Sequence, residues 1–191
     1  VNSTPLARFT ELYEARPDPW NTTTSWYEQR KRNMAMACLP RPTYSVALEP
    51  ACGTGELTSA LASRCGSVLA SDGLDTVVEY ARRRLRPHPR VSVSRRRLPE
   101  EFPADPASAD LVVLSEILYY FDGSDLDAVL ESSWRALRPG GDLLAVHWRP
   151  RAHDAPTCGE SVHHHLRARR GCEWLVSLQD PDFLVDVLRL R

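Results

Sequence analysis

The stretch Ser45–Thr58, S-V-A-L-E-P-A-C-G-T-G-E-L-T, constrains this chain more than any other. A short apolar run, Val46-Ala47-Leu48, ends in an acid, Glu49. A turn of small residues follows, with glycines at Gly53 and Gly55. A helical pattern then begins at Glu56, with Leu57 and Leu61 four residues apart. Strand, glycine turn and helix in that order open a nucleotide-binding α/β sheet. Small residues are needed there because a ligand must approach backbone that a Cβ would shield. The turn lacks the G-x-G-x-x-G spacing of dinucleotide folds. Glu49 would repel a phosphate and attract a cation such as an amine or a sulfonium, so a nicotinamide oxidoreductase is disfavoured.

Downstream, the pattern alternates strand and helix. Ser67–Ser71 reads as a second strand ending in Asp72-Gly73. An acid at that distance from the glycines suits a ribose, because a carboxylate accepts hydrogen bonds from both hydroxyls of a vicinal diol. Asp75–Leu85 reads as a helix, with Arg82-Arg83-Arg84 as a solvated face. Val91–Ser94 is a third strand, and Arg95–Pro99 the loop after it. Ala109–Leu114 is a buried strand that exits through Ser115-Glu116 toward Tyr119-Tyr120-Phe121. A helix over Ser124–Leu137 leads through Arg138-Pro139-Gly140-Gly141 into the strand Asp142–Val146, which exits through His147-Trp148-Arg149-Pro150. Ligands of open α/β sheets sit beyond the C-terminal strand ends. Ser115, Glu116, Tyr119 and His147 are therefore expected to face one crevice.

Before the first strand, residues 1 to about 40 read as a helical cap. A helix over Pro5–Ala15 is followed by the turn Asp18-Pro19-Trp20-Asn21. Thr24 or Ser25 then caps a helix to about Cys38, with Glu28 as capping-box partner. Such a helix can lie across the mouth of the crevice, its aromatics stacking and Arg30 gripping a carboxylate in a bidentate way. Near the other end, His163, His164 and His165 fall in a helix over Ser161–Arg169. Successive helical residues point about 100° apart, so the three cannot share one ion and no metal site is expected. Trp174–Leu178 and Phe183–Leu188 alternate about Asp180-Pro181-Asp182 and read as a closing hairpin.

The 191 residues suit one domain. No run of about 18 apolar residues suggests a membrane span, and the polar, mixed first ten residues suggest no leader. A net charge of -1 offers no bulk attraction to nucleic acid or an anionic membrane. Five cysteines, an odd count with no C-x-x-C pair, fit reduced thiols in a cytoplasm. Lys31 is the only lysine among many arginines. That bias suggests a GC-rich bacterial genome, in which Val1 would fit a GTG start.

The E-P-A-C-G-T-G turn, the second acid at Asp72 and the L-R-P-G-G turn before an apolar strand resemble class I S-adenosylmethionine (SAM)-dependent methyltransferases. That family usually has glycine where this chain has Ala51, and often an acid where it has Arg97. D-P-W with S-W-Y-E-Q-R-K, L-S-E-I-L-Y-Y-F and V-H-W-R-P narrow the resemblance to the nodulation protein S group, small enzymes that N-methylate an amino-sugar amine. The resemblance implies a Rossmann-like, seven-stranded, mostly parallel sheet with helices on both faces and a C-terminal antiparallel hairpin. It implies SAM as methyl donor and S-adenosylhomocysteine as product, held by Trp20, Arg30, Glu49, Ala51, Cys52, Gly53, Gly55, Asp72, Gly73, Leu98 and Ser115. The acceptor side would be Glu116, to orient or deprotonate an amine, with His147 assisting and Tyr119 beside them. The expected acceptor is an amine-bearing sugar or glycosylated small molecule, with no nucleic acid or membrane partner and room for a homodimer. A metal-free O-methyltransferase and a non-catalytic SAM-binding protein are the alternatives.

Overall fold

The computed structural model describes residues 2–191, so Val1 and its start-codon reading lie outside the described residues. Two helices come first, α1 (Leu6–Ala15) and α2 (Trp26–Cys38). Ser25 caps α2, accepting the Glu28 N–H as the capping-box spacing predicts. The alternating body follows: β1 (Tyr44–Pro50), α3 (Glu56–Ala62), β2 (Cys65–Asp72), α4 (Asp75–Leu85), β3 (Val91–Arg95), β4 (Ala109–Ser115), a 3₁₀ turn at Leu118–Tyr120, α5 (Gly123–Ala136) and β5 (Leu137–Trp148). Next come α6 (Gly159–Arg167), β6 (Cys172–Gln179) and β7 (Phe183–Leu190).

Among the described residues, seven strands form one sheet in the order β3-β2-β1-β4-β5-β7-β6. The first five are parallel, and β7 runs antiparallel between β5 and β6. The chain winds from β1 outward through β2 to β3, then returns to lay β4 on the other side of β1. A crevice opens where the winding reverses, beyond the C-terminal ends of β1 and β4. Period-two alternation sends Ala47, Leu111, Val113, Leu144 and Val146 to one face, against α2 and α3. It sends Leu48, Val112, Leu114, Leu143 and Ala145 to the other, against α5 and α6. No helix of the described residues is long and apolar enough to cross a membrane.

Two boundaries differ from the periodic reading. β2 starts at Cys65, two residues before the expected Ser67, so Gly66 lies in the strand; a Cβ there would fall 2.7 Å from the Ser45 carbonyl oxygen of β1. β5 begins at Leu137 and absorbs the R-P-G-G turn.

Candidate active site

A cleft of about 750 Å³ lies over the C-terminal ends of β1, β2 and β4, within the size range of small-molecule sites. The glycine turn forms its floor. Ala51 adopts φ +58°, Gly53 φ +54° and Gly55 φ +85°, so the chain passes from β1 to α3 through a left-handed corner that glycine tolerates and alanine resists. The Cys52 N–H is tied to the Ser71 carbonyl at 2.8 Å, joining the turn to β2. Burial holds the Cys52 thiol well above its usual range, so it is an uncharged packing group.

Both predicted acids face this floor. Glu49 is 2% exposed, and its Oε2 has no hydrogen-bond partner among the described residues. Burial pushes its carboxyl up to about 8. Asp72 accepts the Gly53 N–H at 3.1 Å and the Leu74 N–H at 3.2 Å. Its carboxyl rises to about 6, because burial outweighs those backbone donors. Trp20, Gly73, Leu98 and Ser115 also line the cleft. Trp20 stands at the mouth, its ring edge-on to Tyr13 at 5.6 Å between centroids. Its turn is pinned by Asp18, which accepts from the Thr22 N–H, the Thr22 hydroxyl and the Thr23 N–H.

The N-terminal segment roofs the cleft. Thr4 bonds the carbonyls of Tyr120 and Asp154, Ser3 bonds Asp125 and Asp122, and Arg8 meets Asp154 at 2.8 Å. Phe9 packs edge-on to Tyr120 at 4.8 Å.

At the far end of the cleft, Glu116 carries φ +56°, a conformation uncommon for a side chain of its size. Its Oε1 takes the Lys31 ammonium at 2.6 Å, and its Oε2 accepts the Tyr119 hydroxyl and the Trp148 N–H. Lys31 also meets Glu28 at 2.9 Å and lies 4.8 Å from the Tyr27 ring centroid. The cluster therefore holds two carboxylates and one ammonium. Beside it the buried Tyr27 hydroxyl has no hydrogen-bond partner among the described residues. Sequence reasoning noticed Lys31 only as a solitary lysine, and Tyr27 only as one aromatic of the cap helix.

Three expected site residues sit elsewhere. Arg30 does not line the cleft: its guanidinium pairs with Asp180 in the β6–β7 turn and lies 5.3 Å from the Phe183 ring centroid. Lys31, the next residue along α2, points inward instead, because neighbours on a helix diverge by about 100°. Gly55 lies behind the floor, where a Cβ would come 3.0 Å from Leu85 of α4; it serves the turn and the α3–α4 contact. His147 is fully buried on the opposite face of β5, outside the cleft, while its neighbours Val146 and Trp148 line it. Its expected part in assisting at the acceptor is corrected by that alternation. The His triplet is likewise divided: His163 is buried against His147, and His164 and His165 point to solvent.

A family model described as a methyltransferase domain matches residues 47–141, from β1 into β5. No curated protein matches the sequence significantly. Among solved structures, a Pseudomonas syringae protein assigned as a methyltransferase is 39% identical, with TM-score 0.76; the match covers 86% of this chain and 99% of that one. The N-methyltransferase NodS of Bradyrhizobium japonicum, solved with S-adenosyl-L-homocysteine, superposes with TM-score 0.84 at 23% identity, over 99% of each chain. The 1,6-didemethyltoxoflavin-N1-methyltransferase of Burkholderia thailandensis gives TM-score 0.76 at 19% identity, over 96% of this chain and 86% of that one. At those lower identities the last two show likeness of fold. Taken with the glycine turn and its two acids, the Pseudomonas relative and the matched domain establish that this chain belongs to the methyltransferase family.

Proposed function

We propose that this enzyme transfers a methyl group to the free amine of an amino sugar or a glycosylated small molecule, with S-adenosylmethionine as donor. The donor supplies an electrophilic methyl on a sulfonium. The residues present fit such a group. The unpartnered, buried Glu49 oxygen suits a cationic moiety, Asp72 suits a vicinal diol, and Gly53 leaves backbone exposed at the floor. Leu98 and Trp20 offer apolar surface to a flat ring. Arg97 lines the cleft, but its N–H is already given to Glu101 at 2.8 Å, so ring recognition there falls to packing.

The amine reading rests on one observation: Glu28 and Glu116 surround the single ammonium of Lys31, leaving that cluster with a net negative charge. A protonated amine is drawn to such a site, and a neutral or anionic hydroxyl compound is not. Glu116 is already a threefold acceptor, so it reaches the amine through Tyr119 and not directly. The Tyr119 hydroxyl donates to Glu116, which leaves its own lone pairs for an acceptor N–H. An ammonium proton passes to Tyr119 Oη as the tyrosine proton moves onto Glu116 Oε2, and the neutral amine is then a nucleophile. With an electrophile already activated, holding the amine in line and excluding water by the N-terminal roof supply the rest.

Methyl-labelled SAM offered with D-glucosamine, N-acetyl-D-glucosamine and catechol tests this reading. Label on the free amine supports it. Label on catechol or on a hydroxyl of the acetylated sugar would establish O-methylation instead, and no label on any acceptor despite normal donor binding would favour a non-catalytic SAM-binding protein.

A further inference from the structure

On the face of β5 turned away from the cleft, three buried side chains form a line. His147 Nδ1 lies 3.1 Å from His163 Nε2, and His163 Nδ1 lies 2.5 Å from Asp186 Oδ2. His147 Nε2 accepts the backbone N–H of Leu118 at 3.3 Å. All three side chains are excluded from solvent. We propose that His147, His163 and Asp186 are positioning residues, a buried hydrogen-bond relay that fixes the turn carrying Glu116 and Tyr119.

The direction of the relay follows from its two ends. The Leu118 N–H can only donate, so His147 Nε2 carries no proton and Nδ1 does. His147 then donates to His163 Nε2, and His163 donates from Nδ1 to the Asp186 carboxylate. Each bond polarises the next. Burial, with His163 second, holds His147 well below its usual range and so keeps it neutral. The Arg167 guanidinium, 3.5 Å from Asp186 Oδ1, balances the carboxylate at the far end.

The turn needs such fastening. Glu116 at φ +56° is a strained backbone that persists only when its surroundings over-determine it. Its own N–H reaches the Val146 carbonyl at 2.8 Å, and the Tyr120 N–H reaches Ile117 at 3.1 Å. Leu118, between them, is held by a side chain. The His147 ring also packs edge-on to Tyr119 at 5.5 Å. Gly159 makes the arrangement possible: a Cβ there would fall 2.3 Å from the Trp148 carbonyl oxygen. α6 therefore starts pressed against β5, and His163, one turn further on, meets His147. The V-H-W stretch, expected at the acceptor, and the H-H-H triplet, expected to hold no metal, acquire a shared use.

The proposal rests on the reading that Glu116 and Tyr119 face the acceptor, so its test has a part independent of turnover. Long-range ¹H–¹⁵N spectra of the ligand-free protein should show a protonated Nδ1 and a bare Nε2 on both histidines. Amide exchange at Leu118 should accelerate at least tenfold in His147→Leu. It should accelerate likewise in His163→Leu, because His163 hydrogen-bonds His147 and Asp186 and not Leu118. His147→Gln restores protection, because its Oε1 lies as many bonds from Cα as Nε2 does. With D-glucosamine as acceptor, both leucine variants should lose kcat at least tenfold while S-adenosylhomocysteine affinity stays within twofold, and glutamine should recover most of it. The opposite tautomers, unchanged Leu118 exchange in His163→Leu, or equal behaviour of Gln and Leu at 147 would each overturn the relay. Failure of D-glucosamine to accept methyl would overturn the amine reading alone, because the ring nitrogens and Leu118 exchange still decide the relay.

Discussion

The Lys31 ammonium and Glu116 Oε1 meet at 2.6 Å, joining α2 of the N-terminal cap to the loop after β4 across 85 residues of sequence. Lys31 is nearly excluded from solvent and also holds Glu28. Removing one partner of a buried ionic cluster leaves the others uncompensated. Lys31→Met should therefore destabilise the protein by about 2–4 kcal/mol at pH 8 in urea titrations. Lys31→Arg keeps a cation between Glu28 and Glu116 and should lose much less. Equal losses in the Met and Arg variants would mean that the charge of Lys31 does not matter.

Glu49 links donor binding to pH. Its folded carboxyl stands at about 8 against an ordinary value of 4.5. The folded state therefore holds a proton that the unfolded chain has released between those values, and stability falls as pH rises through that window. A cationic donor beside Glu49 favours its ionised form. Binding at pH 7 should release close to one proton, and affinity should rise with pH up to about 8 and flatten above. Calorimetry in two buffers of different ionisation enthalpy reads the proton directly. Glu49→Gln should abolish the release and weaken donor binding roughly 10- to 100-fold, the loss of one charged contact. Asp72, at about 6, titrates in a lower window and remains as an internal control.

These two acids show how far the sequence carries a reader. Each terminates a strand recognisable by its apolar run, and strand termini in this topology face the ligand, so Glu49, Asp72 and the glycine turn were legible together. Strand–helix alternation made an α/β sheet legible, while its seven-stranded, mostly parallel form was what the resemblance implied and its strand order came from the structure. What was hidden depends on a single residue of phase. Val146, His147 and Trp148 are equally close to the end of β5, yet alternation gives the cleft to the outer two and α6 to the middle one. Arg30 and Lys31 differ by one step around α2, and only the partners, Asp180 and Glu116, reveal which faces in. Both partners lie far along the chain, where no local pattern can name them.

Ala51 carries a measurable cost. It adopts φ +58° where a side chain disfavours the left-handed region by roughly 1–2 kcal/mol. Glycine removes that strain but gains freedom in the unfolded chain worth about 0.4–1 kcal/mol. Ala51→Gly should therefore stabilise the protein by about 0.5–1 kcal/mol, with donor affinity unchanged, in thermal melts and calorimetry. A destabilised variant would mean that the methyl group packs against a neighbour more favourably than the strain costs.

The opposite end of the sheet offers a change that separates stability from binding. Asp142, at the bottom of β5, is fully buried. It accepts the Tyr44 hydroxyl at 2.8 Å and a two-armed contact from Arg189 at 2.7 and 3.1 Å, with Arg41 at 3.4 Å. Asp142→Ala leaves the buried Tyr44 hydroxyl unpaired and takes the carboxylate from two part-exposed guanidinium groups, and should cost about 2–3 kcal/mol. Asp142→Asn keeps an acceptor for Tyr44 and should cost roughly half as much. Because the cleft lies beyond the other ends of the strands, S-adenosylhomocysteine affinity of the folded fraction should remain within twofold in both variants. Weakened affinity at 20 °C in the well-folded Asn variant would show instead that strain at the base of β5 reaches the Glu116 turn through β4, whose Ser115 is in register with Val146.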